Sequence, residues 1–263
     1  RNWQRFPVPL NTLDAVLLTH AHLDHCGLLP KLVHDGFNGP IYCTGATADI
    51  AEISLLDSAN IQMEDAEHKR KRHERQGRKG PYPEIPLYTT TDARACFPLL
   101  SPVRYKEPVQ IVKGVTATFH DAGHVLGSAM IQVNIGRNGA TTTLIFSGDI
   151  GRWDHPMLQE PTLFAEADYV LMESTYGDRL HEGATTIKDE LADIIKSTLA
   201  ARGNIVAPSF ALERSQDVLY YLNELLMEQR IPRLKVLLDS PMAVSITDVF
   251  EKHPELYDRE MTK

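Results

Sequence analysis

Three histidines and an aspartate fall within six positions of one short stretch, LTHAHLDHCGLLPKL (18–32): His20, His22, Asp24 and His25. Imidazole nitrogen and carboxylate oxygen are ligands that zinc and similar divalent ions prefer. In extended backbone alternate side chains share a face, so His20 and His22 can address one ion. Asp24 and His25 follow where a helix begins and can address a second. Two later stretches carry the same chemistry. HDAGHVLGSAM (120–130) sets His124 in a glycine-flanked turn between strand-like runs, and LIFSGDIGR (144–152) sets Asp149 at the end of an apolar strand, again between glycines. Glycine lets backbone approach a cluster without a Cβ clash. The plainer reading is polar side chains solvated in loops. It has to explain why three separate stretches place such residues at strand ends.

The surrounding pattern predicts what would hold these residues. DAVLLTH (14–20) reads as a short buried strand, CGLLPKLVHDG (26–36) as a helix closed by Gly36, and GPIYCT (39–44) as a second strand. Residues 46–75 have helical spacing of apolar side chains, with a strongly charged second half, and 77–90 form a Gly/Pro-rich connection. From Val109 to Ser147 the period changes to two, which predicts successive strands with a hairpin turn at GRNGAT. ADYVLMEST (167–175) adds one more strand. Helices are then expected at 186–201, 213–229 and 242–253, alternating with strands at 204–209 and 234–240. That order implies a parallel βαβ unit. The fold class expected is α/β, with domains at 1–183 and 184–263.

Composition is that of a globular protein: 263 residues, 43% hydrophobic, 24% charged. No apolar stretch approaches the length of a membrane span and no secretory signal is visible, so no membrane partner is expected. Cys26, Cys43 and Cys96 show no CxxC spacing and read as reduced thiols of a cytoplasmic protein. A formal charge of −8 argues against generic coating of nucleic acid but leaves room for a local basic surface.

HxHxDH at 20–25, AGHVLGSA at 122–129 and FSGDIG at 146–151 resemble, in order and spacing, the metal-binding motifs of the metallo-β-lactamase fold. MESTYGDRLH (172–181), PSFALERSQDVLYYL (208–222) and LLDSPMA (237–243) resemble its β-CASP branch. That branch includes RNA nucleases such as the nuclease subunit of the cleavage and polyadenylation specificity factor and its prokaryotic relatives. The resemblance implies an αββα sandwich followed by a partial β-CASP domain, two Zn2+ ions and RNA as substrate, in a homodimer or an RNA-processing complex. It implies that His20, His22 and His124 hold one ion, that Asp24 and His25 hold the second, and that Asp149 bridges them. Asp24 would also orient the nucleophile, and Glu173 would support the catalytic site. The resemblance further implies that an acidic motif upstream and two later histidine motifs, one of them the proton donor, lie outside this sequence. The piece by itself is then expected to be inactive or weak. His253, in FEKHPEL, has the wrong context to replace either.

Other residues stay open. Ser209 and Arg214, where SFALERSQ opens a helix, can hold a phosphate or form an ordinary helix turn. His181 can line the cleft or sit in a loop without a part in the chemistry. KRKRHERQGRK (69–79) is either a phosphate-contacting surface or a solvated helix end. Cys26, beside His25, reads as a small buried side chain rather than a ligand. Rival functions are a DNA nuclease of the Artemis type, a non-catalytic RNA-processing scaffold, and a small-molecule hydrolase of the glyoxalase or lactonase type. The filled ligand positions argue against the scaffold, and the extension after residue 183 argues against the hydrolase.

Overall fold

The computed structural model describes residues 2–80, 83–179 and 187–257. The chain divides into two compact units, Arg1–Glu173 with Lys252–Lys263, and Ser174–Glu251.

The first unit contains two sheets. Strands β1 (Val16–Leu17), β2 (Ile41–Thr44) and β3 (Leu100–Val103) pair in parallel, with Ile41 opposite Val16 on one side and Leu100 on the other. Strands β4 (Val109–Val112), β5 (Val115–Asp121), β6 (Ala129–Arg137) and β7 (Ala140–Phe146) form an antiparallel meander, and β8 (Tyr169–Leu171) joins β7 in parallel. The hairpin expected at GRNGAT closes β6 onto β7, with Asn138 and Gly139 both at positive φ, as a primed two-residue turn requires.

Period-two alternation explains how the sheets stack. In β2, Ile41 and Cys43 face a core with Leu18, Leu29, Leu32 and Leu55. Tyr42, pointing the other way, packs with Leu17 and Val103 against Ala117, Phe119, Ala129, Ile131 and Val133 of the second sheet. Helices cover the outer face of the small sheet: α1 (Leu23–Cys26), α2 (Leu29–His34), the 31-residue α3 (Gly45–Arg75) and α4 (Thr90–Cys96). Thr44 caps α3 by accepting the Thr47 N–H, and Thr89 and Asp92 form a reciprocal capping box on α4.

The second unit has α5 (Ile187–Ala200), α6 (Arg214–Met227) and α7 (Pro241–Lys252). Ala192, Ile195, Leu225 and Ile231 form its core, flanked by ion pairs from Lys188 to Glu224 and Glu228. The strands expected at 204–209 and 234–240 are not formed: neither segment carries ladder hydrogen bonds. Ile205, Val206, Val236 and Leu237 are all exposed. An apolar run of this kind becomes a parallel strand only when a neighbouring strand pairs with it and its faces are covered, and the described residues supply neither. The boundary expected near residue 183 falls outside the described residues.

Candidate metal centre

The site is built where strand ends of both sheets meet. After β1 the chain stays extended through His22 and then turns into α1, so His20 and His22 project together while Asp24 and His25 sit on the first helical turn. The backbone carbonyl of Thr19 accepts the Ala129 N–H at 2.8 Å, tying this segment to the start of β6. His124 lies in the turn between β5 and β6. There Ser128 Oγ accepts the N–H groups of both His124 and Val125 at 3.1 Å. Thr44 and Thr47 both donate to the Gly127 carbonyl, at 2.7 and 2.8 Å, which anchors that turn on the start of α3.

Asp149 follows β7. Ser147 bonds Leu171 of β8, and Glu173 Oε1 accepts the Ile150 N–H at 2.7 Å, so a carboxylate holds the loop that carries Asp149. Gly148 has φ +56°, and a Cβ there would lie 2.8 Å from Thr19 Cβ. Only glycine lets the Asp149 loop close on the histidine loop at this point.

The imidazoles converge. His22 Nδ1 lies 3.1 Å from both His20 Nε2 and His124 Nε2. Asp149 Oδ2 lies 3.6 Å from His20 Nε2 and 3.4 Å from His124 Nε2. Its other oxygen, Oδ1, lies 3.2 Å from His25 Nε2, which is 3.6 Å from Asp24 Oδ2. Two ligand groups result, His20–His22–His124–Asp149 and Asp24–His25–Asp149, each within 4.8 Å, with Asp149 common to both. A tetrahedral ion with bonds of about 2.05 Å would hold its ligand nitrogens about 3.3 Å apart, so the spacing fits a divalent cation. His20 is fully buried, and burial together with neighbouring His25, His124 and His22 pushes its pKa down to about 2. The imidazole is therefore neutral, the ligating form. The Thr19 hydroxyl meets His20 Nδ1 at 3.1 Å, leaving Nε2 to face the cluster. A cavity of about 430 Å³ lined by Thr19, His25, Asp149, Met172 and Glu173 opens beside it.

All six metal-ligating candidates thus meet at one place. Glu173, just after β8, holds the Asp149 loop through the Ile150 N–H. Cys26 does not join them; it is buried, donates to the Ala21 carbonyl, and burial pushes its thiol up to about 12. His253 bonds Asp49 of α3 instead. Ser209 and Arg214 are exposed in the second unit, and His181 lies outside the described residues. Sequence reasoning missed Thr19, Thr44, Thr47 and Ser128. Only Ser128 carried a usable signal, a hydroxyl four residues after a histidine inside a glycine-flanked turn.

This fold and its paired ligand groups are those of a metallo-β-lactamase domain, and a family model described as the metallo-beta-lactamase superfamily domain matches residues 2–156. The chain belongs to that superfamily. The Beta-Casp domain model matches residues 215–263, within the second unit and the C-terminal residues that follow it. Ribonuclease TTHA0252 of Thermus thermophilus is 34% identical over 261 residues, covering 99% of this chain and 54% of that protein. The transcription termination factor FttA of Methanosarcina mazei is 34% identical over 260 residues, covering 97% of this chain and 37% of that protein. The chain therefore spans about half the length of the first relative and less of the second. Among solved structures, the subclass B3 metallo-beta-lactamase MEM-A1 from a soil metagenome matches at 16% identity and TM-score 0.32, covering 53% of this chain and 43% of that one. No helix among the described residues is long and apolar enough to cross a membrane.

Proposed function

We propose that the protein is a zinc-dependent ribonuclease that hydrolyses RNA phosphodiester bonds at a pair of metal ions. The observation that carries this reading is Asp149: one carboxylate oxygen faces three histidines, and the other faces His25 and Asp24. A donor set of neutral imidazoles and carboxylates suits zinc. When bound, such ions polarise a phosphoryl oxygen and acidify water. His20, His22 and His124 would hold the first ion, Asp24 and His25 the second, and Asp149 would serve both. Asp24, the most exposed of the carboxylates in the cluster, is placed to orient the attacking water. Glu173 is a positioning residue that fixes the Asp149 loop through Ile150. Ser209, Arg214 and His181 are proposed contacts for the RNA. The relatives named a ribonuclease and a transcription termination factor support RNA over DNA as substrate, and three unpaired, buried thiols support a cytoplasmic location. Residues 1–183 and 184–263 are proposed as the two functional domains.

The test is cleavage of one labelled single strand, as RNA and as DNA, by the full-length parent and its Asp149→Ala variant, with circular dichroism as the folding control. RNA is cut by the parent, and the folded variant loses cleavage. Equal rates for parent and variant would remove the shared-carboxylate mechanism. Cleavage of DNA alone would make the protein an Artemis-type nuclease, and cleavage of neither would make it a scaffold.

A further inference from the structure

We infer that the C-terminal half of α3, with the turn that follows it, is an arm that docks RNA through its phosphates at a distance from the metal centre. The inference rests on the ribonuclease reading for the identity of its partner and on four observations of its own. First, α3 changes character along its length. Ala46, Ile50, Ala51, Leu55 and Ala59 are buried, whereas from Ile61 to Arg75 only Ala66 is. The last four turns are therefore not held by packing against a core.

Second, this exposed end concentrates positive charge in a chain of net charge −8. Within residues 69–79, Lys69, Arg70, Lys71, Arg72, Arg75, Arg78 and Lys79 stand against a single Glu74, with Glu64, Asp65 and Glu67 on the turns before, and all seven cations are exposed. Lys71 pairs with Glu67 at 2.6 Å, while among the described residues Lys69, Arg72, Arg75, Arg78 and Lys79 make no ion pair. Third, like charges crowd the end of the helix. Lys69/Arg72, Arg72/Arg75 and Lys71/Arg75 are like charges at i,i+3 or i,i+4, which repel on a helix. The helix dipole favours cations only in the last turn, which covers Arg72 and Arg75 but not Lys69, Arg70 or Lys71. Asp65, Glu67 and Glu74 offset it at Lys69, Arg70 and Lys71, but Arg72 and Arg75 have no acidic neighbour at these spacings, and a polyanion relieves the repulsion there.

Fourth, the arm is braced. The returning segment packs along it: Gln62 accepts the Leu87 N–H at 3.0 Å, Tyr88 donates to Ser58, and Glu84 pairs with the half-buried His73. That return sets Arg78 and Lys79 beside the helical cations on a pre-ordered surface, which lowers the entropic cost of binding.

Position defines the role. The N-terminal turn of α3 contacts Gly127, next to the His124 turn. At about 1.5 Å per residue, Lys69 lies about 35 Å further along the helix axis. At about 3.4 Å per stacked nucleotide that is roughly ten nucleotides. The arm therefore touches RNA remote from the bond being cut.

The experiment measures binding of a labelled single-stranded RNA of about 20 nucleotides to this chain by fluorescence anisotropy, with chelator present and salt varied from roughly 50 to 200 mM. It compares wild type with K69Q/R70Q/R72Q/R75Q, and with R104Q/K113Q/R137Q as a control that removes exposed charge elsewhere. Single strands lose about 0.7 in the slope of log K against log salt per phosphate contact. The arm variant should therefore flatten the slope by about 3 and weaken binding at low salt by at least about tenfold, while the control changes little. The substitutions lie on an exposed surface and remove attractive and repulsive spacings alike, so thermal stability should change little. If wild type binds RNA and the arm variant matches it in affinity and slope, the arm is overturned and the ribonuclease reading stands. If wild type binds no RNA, the arm is overturned, and cleavage by the full-length parent decides separately whether the ribonuclease reading falls with it.

Discussion

Gly148→Ala is the sharpest single perturbation of the centre, because the structure sets both its size and its direction. Gly148 sits at φ +56°, and an added Cβ would lie 2.8 Å from Thr19 Cβ and 2.9 Å from Thr19 Oγ1. Left-handed backbone costs an alanine about 1 kcal/mol, and overpacking a tight contact costs about 1–3 kcal/mol. Together these give roughly 2–4 kcal/mol, or a fall in Tm of about 6–12 °C for a chain of this size. The clash also pushes apart the two loops that form the site, since Thr19 precedes His20 and Gly148 precedes Asp149. Zinc affinity should fall by about 10–100-fold, as it does when a group that orients metal ligands is lost. Gly139→Ala is the matched control. That glycine also has positive φ, +78°, but no atom lies within 4 Å of its added Cβ. It should lose only the strain energy and none of the metal affinity. Differential scanning calorimetry and a competition titration against a chromophoric chelator measure both quantities. If Gly148→Ala behaves like Gly139→Ala in both, the tight approach of the two loops is not what builds the centre.

Two further outcomes follow from buried groups. Ser128→Ala removes the acceptor for two N–H groups in the His124 turn, which should cost about 2–4 kcal/mol in urea denaturation and loosen metal binding with it; a loss under about 0.5 kcal/mol would contradict the role of Ser128. Burial pushes the thiols of Cys26, Cys43 and Cys96 up to about 12 from 9.0. Above pH 9 the unfolded chain therefore releases thiol protons that the folded chain keeps, so stability should fall between pH 9 and 12, by up to about 1.4 kcal/mol per thiol per pH unit. At pH 8 a thiol reagent should label none of the three until denaturant is added, and rapid labelling of the folded chain would show that they are accessible.

How far the sequence could be read depended on whether the signal was local. Side-chain alternation in β5 to β7, the Asn138–Gly139 hairpin and the long α3 all follow from short-range pattern. Short-range pattern also sets His20, His22 and His124 each at a strand end, but that they meet is what the family resemblance implied, since His22 and His124 are 102 positions apart. Helix α4 was legible in principle from the Thr89–Asp92 capping box but is only seven residues long and follows a Gly/Pro-rich stretch. β3 contains Pro102 and gives no alternation to read. Strands at 204–209 and 234–240 failed for the opposite reason: their apolar runs state a preference that only pairing partners can satisfy. The threonines that lock Gly127 are some 80 residues away from it, and nothing in a linear pattern links them.

The central claim is that two ligand groups share Asp149. Metal content measures it most directly. This chain and its Asp149→Ala and His124→Ala variants would be equilibrated with zinc and weighed by native mass spectrometry. Wild type should carry two zinc ions, the second more weakly held than the first. His124→Ala should lose the tighter ion, and Asp149→Ala should lose the second and weaken the first. A wild-type chain that binds no zinc, or an Asp149→Ala chain that binds it as wild type does, would contradict the account.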